Sequence, residues 1–274
     1  MSEVFQKILV MSDPHLTCDG EKIIGLDPSE KLKRALRHAL EAHSDASYLV
    51  FTGDLAHTGS KKEYLSLKEI LSDISIDTKL MMGNHDNRKN CLDVFPAIQL
   101  DENGFFQSSL VCGNYKLLFL DTMDVSATGM RKNEGFLCDL RLRWLEDQLK
   151  LEKNRELILF MHHPPFSVGF KGMDKIKLLN SDDFFKILDS YKNVVQIISG
   201  HIHRNIAGCV KGYSFSIFKS TCHQMPILFG TDNVKLSAAE PPGYGLLCLS
   251  DDGIILHNED YELSGKQTQP FEKY

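Results

Sequence analysis

The sequence predicts an α/β fold in which two β-sheets pack face to face and helices cover their outer sides. The first observation is that strand and helix patterns alternate through the first half of the chain, which implies a parallel sheet with right-handed crossovers. The second is that the pattern becomes rich in strands after about residue 104. No linker rich in proline, glycine or serine separates the two halves, so residues 1–274 are predicted to form a single domain.

Three buried strands and two helices account for the first half. The first helix begins at an N-cap, Asp27, followed by a proline at the first helical position and by Glu30, which would complete a capping box. The second helix opens at Ser60 and Glu63. The strands are predicted over Lys7–Ser12, Tyr48–Thr52 and Lys79–Met82.

The second half contains a hairpin signal, because the turn residues Cys112-Gly113-Asn114 separate two apolar runs. The segment Phe166–Lys177 contains glycine and lacks periodicity, so it is predicted to be a loop near the functional site. Two helices are expected over Asp139–Lys153 and Asp182–Ser190. Strands are expected over Phe105–Val111, Tyr115–Asp121, Glu156–Met161, Val194–Ser199, Gly212–Ser220, Gly245–Ser250 and Gly253–Glu259.

Composition limits the class of protein. The chain has 274 residues, of which 42% are hydrophobic and 25% charged, as in ordinary globular proteins. The net charge of −6 argues against a protein that binds nucleic acid polymers, nucleases included, because such a protein would carry a surplus of Lys and Arg. No signal peptide or membrane-spanning stretch is visible, and the 7 widely spaced cysteines suit neither a disulfide framework nor a zinc ribbon. We therefore expect a cytoplasmic protein with reduced thiols and no membrane partner.

Five short polar clusters each follow a predicted strand. Strand ends in an open α/β sheet face the crevice where ligands bind, so clusters distant in sequence are expected to converge. Taken singly, each cluster has an ordinary explanation as a turn, a helix cap or a packed histidine. Together they supply the carboxylates, amide and imidazoles that bind divalent transition metals. The clusters are Ser12-Asp13-Pro14-His15, Gly53-Asp54, Gly83-Asn84-His85-Asp86, His162-His163-Pro164-Pro165 and Gly200-His201-Ile202-His203.

The order of these clusters resembles the calcineurin-like metallophosphoesterase superfamily. Its pattern is Asp-x-His, Gly-Asp, Gly-Asn-His-Asp/Glu, a histidine at the end of a later strand, and Gly-His-x-His. The tail, with Ser220-Thr221-Cys222 and Glu240-Pro241-Pro242-Gly243-Tyr244, is similar to class III cyclic nucleotide phosphodiesterases and related glycerophosphodiesterases. The resemblance implies a four-layer αββα sandwich of two mixed sheets. It also implies two divalent metal ions per subunit (Mn, Fe, Zn or Co) and a homo-oligomer.

Carried over residue by residue, the resemblance implies seven metal ligands, with Asp54 bridging the two ions. In the fourth cluster the family ligand lies two residues before the proline, which is Pro164 here and selects His162. His163 would then pack behind the site or form a hydrogen bond to a ligand. The remaining ligands would be Asp13, His15 and His203 for one ion, and Asn84, His162 and His201 for the other.

A pair of divalent ions about 3.5–4 Å apart can clamp the attacking and leaving oxygens of an in-line displacement. A water that bridges them would have its pKa lowered, and the resulting hydroxide would attack the phosphorus atom. His85 directly follows a ligand and would contact a phosphoryl oxygen or protonate the leaving alkoxide. Asp86 would orient the His85 imidazole, or alternatively would cap a helix that begins near Asn87.

Charge favours a phosphodiester as the substrate. Two divalent ions, two aspartates and a bridging hydroxide leave one positive charge, which a monoanionic diester neutralises. We therefore expect a metal-dependent phosphoric diester hydrolase that acts on small phosphodiesters, above all on cyclic nucleotides such as cyclic AMP. The alternatives are a glycerophosphodiester or phosphonate-ester hydrolase of broad specificity, and a non-catalytic scaffold with the same fold.

Two further histidines have no assigned role. His57 stands where the family often has an acidic or small polar residue shortly after Gly-Asp. His223 follows the tail motif directly. Each is either an ordinary histidine or a group that contacts the substrate at the rim of the site, and the sequence leaves both readings open.

Overall fold

The computed structural model describes residues 6–18, 20–125 and 132–263. Within those ranges, no helix is both long enough and apolar enough to cross a membrane. The helices are α1 (Pro28–Ala42), α2 (Lys61–Leu71), α3 (Arg88–Val94), α4 (Asp139–Leu151) and α5 (Ser181–Leu188). The strands are β1 (Gln6–Met11), β2 (Tyr48–Phe51), β3 (Asp77–Leu80), β4 (Ser108–Cys112), β5 (Tyr115–Leu120), β6 (Glu156–Met161), β7 (Val194–Ser199), β8 (Ile206–Val210), β9 (Tyr213–Ile217), β10 (Tyr244–Ser250) and β11 (Gly253–Glu259).

The first sheet contains five strands in the order β11-β10-β1-β2-β3. Strands β1, β2 and β3 run parallel, with Met11 opposite Phe51 and Phe51 opposite Leu80. Strand β10 is antiparallel to β1, and β11 is antiparallel to β10. The three parallel strands therefore end at the same edge of this sheet.

The second sheet contains six strands in the order β4-β5-β6-β7-β9-β8. Strands β5, β6, β7 and β9 are parallel, and β4 and β8 are antiparallel at the two edges. Met161 of β6 lies opposite Ser199 of β7, so these two central strands also end side by side. Both sheets are mixed, as predicted.

Side chains of β1 enter two different cores, because successive residues of a strand point to opposite faces. Ile8 packs between the sheets with Phe160 of the second sheet. Leu9 points the other way and packs against Leu36 of α1. A third core lies between the second sheet and helices α4 and α5, where Leu145 is buried. The layers are helices, sheet, sheet and helices, so the predicted four-layer αββα sandwich is confirmed.

The helix caps agree with the prediction except at one side chain. Oδ1 of Asp27 accepts hydrogen bonds from the backbone N–H groups of Ser29 and Glu30, at 3.0 and 3.2 Å. The Glu30 carboxylate does not complete the predicted box and instead accepts a hydrogen bond from Lys33 Nζ at 3.1 Å. In α2 the box is complete, since the Glu63 carboxylate accepts from Ser60 N at 2.8 Å.

Four strands differ from the prediction by two residues or more. Strand β4 begins at Ser108 and not at Phe105, and β9 ends at Ile217 and not at Ser220, because pairing with the neighbouring strand starts and stops there.

Strand β3 begins at Asp77, two residues early, because the polar residues Asp77 and Thr78 pair with β2 without contributing an apolar signal. Strand β8 is absent from the prediction because most of its side chains are exposed and show no alternation. A tight turn at Lys211 and Gly212 joins β8 to β9, and their φ values of 52° and 87° are those of a primed hairpin turn.

Candidate metal centre

The seven predicted metal ligands converge at the ends of five strands drawn from both sheets. Each is at most 9% exposed, so the cluster is shielded from bulk water. The segments after β1, β2, β3, β6 and β7 carry, in that order, Asp13 and His15, Asp54, Asn84, His162, and His201 with His203. The packing of the two sheets therefore brings together residues that lie up to 190 positions apart in the chain.

The backbone is strained at five of these seven residues. A left-handed conformation costs a residue with a side chain on the order of 1–3 kcal/mol, and it persists where the surrounding structure enforces it. Such conformations cluster at functional sites, and among the described residues five of the seven non-glycine residues with a positive φ are predicted ligands. The positive φ values are 49° at Asp13, 48° at His15, 49° at Asp54, 70° at His201 and 51° at His203.

Asp54 lies at the centre of the cluster. Its Oδ2 atom is 3.4 Å from Nε2 of His15 and 3.4 Å from Nε2 of His162. These two histidines belong to the two different predicted ligand sets. The other carboxylate oxygen, Oδ1, accepts a hydrogen bond from the backbone N–H of His85 at 2.8 Å. One oxygen of Asp54 therefore faces both sets, as a bridging ligand requires.

The first ligand set is compact. Nε2 of His15 lies 3.1 Å from Nε2 of His203, and the latter atom lies 3.5 Å from Oδ1 of Asp13. The ligand atoms of Asp13, His15, Asp54 and His203 are all within 4.8 Å of one another. Four donors thus point into one small volume.

The second set lies on the other side of Asp54. Nε2 of His162 is 3.2 Å from Oδ1 of Asn84, and the rings of His162 and His201 are 5.0 Å apart. Nε2 of His201 is buried and has no hydrogen-bond partner among the described residues. The backbone N–H of His201 donates to both carboxylate oxygens of Asp13, at 3.0 and 3.1 Å. This bond holds the two sets together.

Backbone carbonyls set the tautomers of two histidines. Nδ1 of His162 donates to the carbonyl oxygen of Thr52 at 2.9 Å, and Nδ1 of His203 donates to that of His223 at 3.0 Å. A hydrogen bond at one ring nitrogen fixes the proton there and leaves a lone pair on the other. Nε2 of both rings is therefore the donor atom that faces the cluster.

His163 has no such atom to offer. Its Nδ1 lies 2.8 Å from Oγ1 of Thr122, and its Nε2 lies 3.2 Å from the carbonyl oxygen of Asn133. A nitrogen of His163 is within 4.8 Å of nitrogens of His162 and His201. Both of its nitrogens, however, have partners outside the predicted ligands, whereas Nε2 of His162 faces Asn84 and Asp54. The hydrogen bonds therefore support His162, and not His163, as the ligand.

The electrostatics of the cluster suit a cation. Burial raises the pKa of Asp54, but the neighbouring His162, His85 and His15 together outweigh it and hold the pKa well below the usual value. Burial works against a charged His162, yet the carboxylates of Asp54 and Asp13 raise its pKa to about 9. Burial lowers the pKa of His201 to about 3, so this imidazole is neutral. Ionised carboxylates and the neutral imidazole of His201 are donors that divalent metals bind, and a bound cation would displace the proton from His162.

The residues present fit a pair of such ions. The set supplies two carboxylates, one amide oxygen and four imidazoles, and the unpartnered Nε2 of His201 lacks a role without a ligand. The backbone packs closely behind these groups. Gly53 has a φ of 103°, and a Cβ atom there would lie 2.6 Å from Nδ1 of His162. A larger residue at position 53 would displace a predicted ligand.

The imidazole of His85 is held beside this cluster. Its Nδ1 lies 2.7 Å from the carbonyl oxygen of His57, which accepts the hydrogen bond and orients the ring. The ring centroid is 4.6 Å from that of His15, and His85 lines the pocket above the cluster. The structure thus brings the predicted proton donor to the predicted metal ligands.

The expectation that Asp86 orients the His85 imidazole is wrong, because the carbonyl oxygen of His57 accepts the hydrogen bond from Nδ1 of His85. The alternative is also wrong, since the N-cap of α3 is Asn87, whose side chain accepts from Asn90 N at 3.0 Å. Asp86 is fully buried. Its oxygens accept hydrogen bonds from Gly83 N at 2.9 Å, Leu55 N at 3.2 Å, Ala56 N at 3.1 Å and Tyr64 Oη at 2.9 Å.

We expect Asp86→Ala to lower the free energy of unfolding by about 3 kcal/mol or more. Three buried N–H groups and a buried hydroxyl would lose their acceptor, at roughly 1–3 kcal/mol for each unsatisfied group. Urea unfolding of the two proteins would measure the loss. The control is Asp93→Ala, which removes an exposed carboxylate that pairs with Lys89 at the surface and is expected to change stability by at most about 0.5 kcal/mol. Wild-type stability in the Asp86 variant would contradict this structural role.

His57 and His223 both line the pocket, so neither is a simple surface histidine. Their main-chain carbonyls orient His85 and His203 respectively. Sequence reasoning missed these carbonyls, together with that of Thr52, because a main-chain acceptor carries no side-chain signal. It also missed the apolar residues that line the pocket, such as Val234 and Leu236, since no local pattern marks them.

Residues 6–205 of the chain match the sequence model for calcineurin-like phosphoesterases. The chain belongs to the calcineurin-like phosphoesterase family. The resemblance found in the five polar clusters is confirmed, and so is the prediction of a metal-dependent phosphoester hydrolase.

Two curated relatives of this phosphoesterase match it over nearly its whole length. A probable cyclic nucleotide phosphodiesterase of Rhodopseudomonas palustris is 35% identical over 260 residues, which cover 94% of each chain. A probable glycerophosphodiester phosphodiesterase of Arcobacter nitrofigilis is 27% identical over 254 residues, which cover 91% of each chain.

Among solved structures, a dimetal phosphatase from Danio rerio has a similar fold. Its TM-score with this calcineurin-like phosphoesterase is 0.72 at 15% sequence identity, and the match covers 93% of this chain and 96% of that one. At this level of identity the similarity supports the sandwich fold alone.

Proposed function

We propose that this phosphoesterase hydrolyses small phosphodiesters, with cyclic nucleotides as its principal substrates. The observation that carries the proposal is the position of Asp54, whose Oδ2 atom lies 3.4 Å from one histidine of each ligand set. Two divalent ions held close together are a recurring arrangement for phosphoryl transfer to water. The cyclic nucleotide substrate is supported by the relative that is 35% identical and is described as a probable cyclic nucleotide phosphodiesterase.

In this proposal Asp54 would contribute to holding both of two divalent ions. The mixed nitrogen and oxygen donors suit Mn, Fe, Zn or Co. The distances within each set support this grouping. Nε2 of His203 lies 3.1 Å from Nε2 of His15 and 3.5 Å from Oδ1 of Asp13 in one set, and Nε2 of His162 lies 3.2 Å from Oδ1 of Asn84 in the other. One ion would take Asp13, His15 and His203, and the other would take Asn84, His162 and His201.

When bound, the two ions would supply Lewis acidity toward the phosphoryl group and toward the attacking water. The chain's own groups would donate a proton and orient the metal ligands. His85, oriented by the carbonyl of His57, donates a hydrogen bond to a phosphoryl oxygen or a proton to the leaving alkoxide. The carbonyls of Thr52 and His223 keep Nε2 of two ligands directed into the site. The site therefore needs no serine or cysteine nucleophile.

The pocket supports a diester over a monoester. A dianionic monoester would be favoured by additional cationic side chains near the phosphoryl group. Among the described lining residues, however, the sole lysine or arginine is Lys235. The bound ions and the two aspartates would therefore set most of the local charge, and a monoanionic diester would suit that charge better than a dianionic monoester.

Glycerophosphodiester hydrolysis is the second candidate. It is favoured by the relative that is 27% identical over 91% of the chain and is described as a probable glycerophosphodiester phosphodiesterase. The two candidates share the metal centre and differ in the alcohol that leaves. They are distinguished by the part of the pocket that surrounds that alcohol.

A substrate panel tests the proposal. The full-length protein with measured metal content would be assayed on cyclic AMP, glycerophosphoethanolamine and adenosine 5′-monophosphate. We expect kcat/KM for cyclic AMP to exceed that for the monoester by at least about tenfold, a degree of discrimination that pocket contacts commonly provide. Faster turnover of the monoester than of both diesters would contradict the proposal. Preference for glycerophosphoethanolamine would select the second candidate.

We also propose that the chain acts in the cytoplasm as a homo-oligomer of one domain per subunit, residues 1–274. All seven cysteines carry free thiols, which supports a reducing compartment. The mass of the native protein by light scattering, compared with 31.0 kDa for one chain, tests the assembly. A native mass equal to that of one chain would contradict it.

A further inference from the structure

The pocket above the proposed metal site has an apolar side. The cavity is about 510 Å³, which is within the range of about 300–1,000 Å³ usual for small-molecule sites. Its floor is formed by polar residues of the metal centre. The wall beyond them is lined by Ile176, Met225, Val234 and Leu236, with Ile23 on another part of the rim.

Two loops that contact each other supply the residues of this wall. These are residues 166–177 and residues 225–237. Asp232 accepts hydrogen bonds from Nζ of Lys171 and pairs with Lys175, at 2.7 Å in each case. The backbone N–H of Gly172 donates to the carbonyl oxygen of Thr231 at 3.2 Å. The wall therefore has a defined shape and is not a single free loop.

The chemistry of the wall discriminates between ester groups. A choline or ethanolamine group would require a carboxylate or an aromatic face to hold its cation. Outside the histidines, the described lining residues include no aromatic ring, and the single carboxylate is Asp54 in the metal centre. A glycerol group would gain little from these aliphatic side chains and would depend on Asn133, Lys235 or Ser237 for hydrogen bonds. A flat, weakly polar nucleobase is the group that gains from isoleucine, valine, leucine and methionine contacts.

We propose that Ile176, Val234 and Leu236 form a subsite for the nucleobase of a nucleotide-type phosphodiester. The inference rests on the proposed function, because it requires the phosphate to bind at the metal centre. Each of the three side chains lines the pocket and is half-buried, so part of its surface is available to a ligand. They are specificity-determining residues and take no part in bond cleavage.

Calorimetry with two ligands that differ only in the base tests the subsite. Adenosine 5′-monophosphate and ribose 5-phosphate would be titrated into the full chain loaded with Mn²⁺. We expect the nucleotide to bind at least about tenfold more tightly in the wild type, and Leu236→Asn to reduce that ratio about fivefold, since burial of apolar surface is lost. Affinity for ribose 5-phosphate is expected to stay within about twofold, because the phosphate and sugar contacts are unchanged.

Two further variants keep the test interpretable. Ile176→Asn, on the other loop, is expected to repeat the loss of base preference. Leu228→Asn is the matched control, because Leu228 lies in the same segment as Leu236 but is 50% exposed and does not line the pocket. In the Leu236 variant kcat/KM for cyclic AMP should fall more than kcat/KM for glycerophosphoethanolamine, while Leu228→Asn should leave both values unchanged.

The outcomes separate this inference from the proposed function. Equal affinity of the wild type for the two ligands would overturn the subsite, and so would an equal loss for both ligands in Leu236→Asn. Those results would leave diester hydrolysis intact. Absence of diester hydrolysis with a preserved base preference would instead overturn the proposed function and leave the subsite in place.

Discussion

Replacing Asp54 with alanine is expected to abolish phosphodiester hydrolysis and to reduce the bound metal from two ions to at most one per chain. Oδ2 of Asp54 is 3.4 Å from Nε2 of a histidine in each ligand set, so this one oxygen connects the two positions. Loss of a group that merely supports a metal ligand costs about 10–100-fold in affinity or activity, and loss of a bridging ligand should exceed that range. Metal content after dialysis and the rate on cyclic AMP measure the two effects.

Two companion variants show whether the loss is specific to the bridge. Asp54→Asn preserves the size of the side chain but lacks the charge, and it is expected to lose metal as the alanine variant does. Asp93→Ala removes an exposed carboxylate from α3 and is expected to keep both ions and full activity. An Asp54→Ala protein that retained both ions and activity within about tenfold of the wild type would contradict the assignment.

The second large effect is expected from His85→Ala. This variant should keep both metal ions and lose about 10²–10⁴-fold in kcat, the range typical of a general acid or base. The backbone N–H of residue 85, which donates to Oδ1 of Asp54 at 2.8 Å, remains in the variant. The loss should therefore fall on turnover and leave the metal site intact. Steady-state kinetics together with metal analysis separates the two.

The control for this variant is His257→Ala on β11, an exposed histidine outside the pocket. It is expected to match the wild type in rate and in metal content. An unchanged kcat in His85→Ala would remove His85 from the reaction. Loss of metal in the same variant would show that its role is structural, a result that also conflicts with the role proposed here.

The fold could be predicted from sequence wherever strands are buried on both sides. Strands β6 and β7 agree with the prediction at both ends, because Leu157–Met161 and Ile197–Ser199 are buried and read as continuous apolar runs. Strand β8 could not be predicted, since it lies at a sheet edge with most residues exposed. Its pairing depends on a turn conformation at Lys211 that side-chain patterning does not reveal.

The site could be predicted only in part. The seven proposed ligands were marked by their positions directly after strands, and the structure brings all of them together. The partners that orient them could not be found, because the carbonyls of Thr52, His57 and His223 are main-chain atoms. The predicted role of Asp86, to orient His85 or to cap a helix, is wrong for a related reason. A carboxylate that accepts backbone N–H groups has the same sequence signature as one that orients a histidine.

The apolar wall of the pocket could not be predicted either. Val234 and Leu236 lie in a segment without periodic pattern, far along the chain from the five polar clusters. Their position at the pocket depends on packing against the core of the second sheet and on contacts between two loops distant in sequence, such as the hydrogen bond from Gly172 N to Thr231 O. Such tertiary contacts have no local signature.

Anomalous diffraction from crystals grown with Mn²⁺ would show whether the chain binds two ions. We expect two peaks per chain, one on each side of the Asp54 carboxylate. One should be bound by Asp13, His15 and His203, and the other by Asn84, His162 and His201. A single peak, or peaks placed away from Asp54, would contradict the proposed pair of ions.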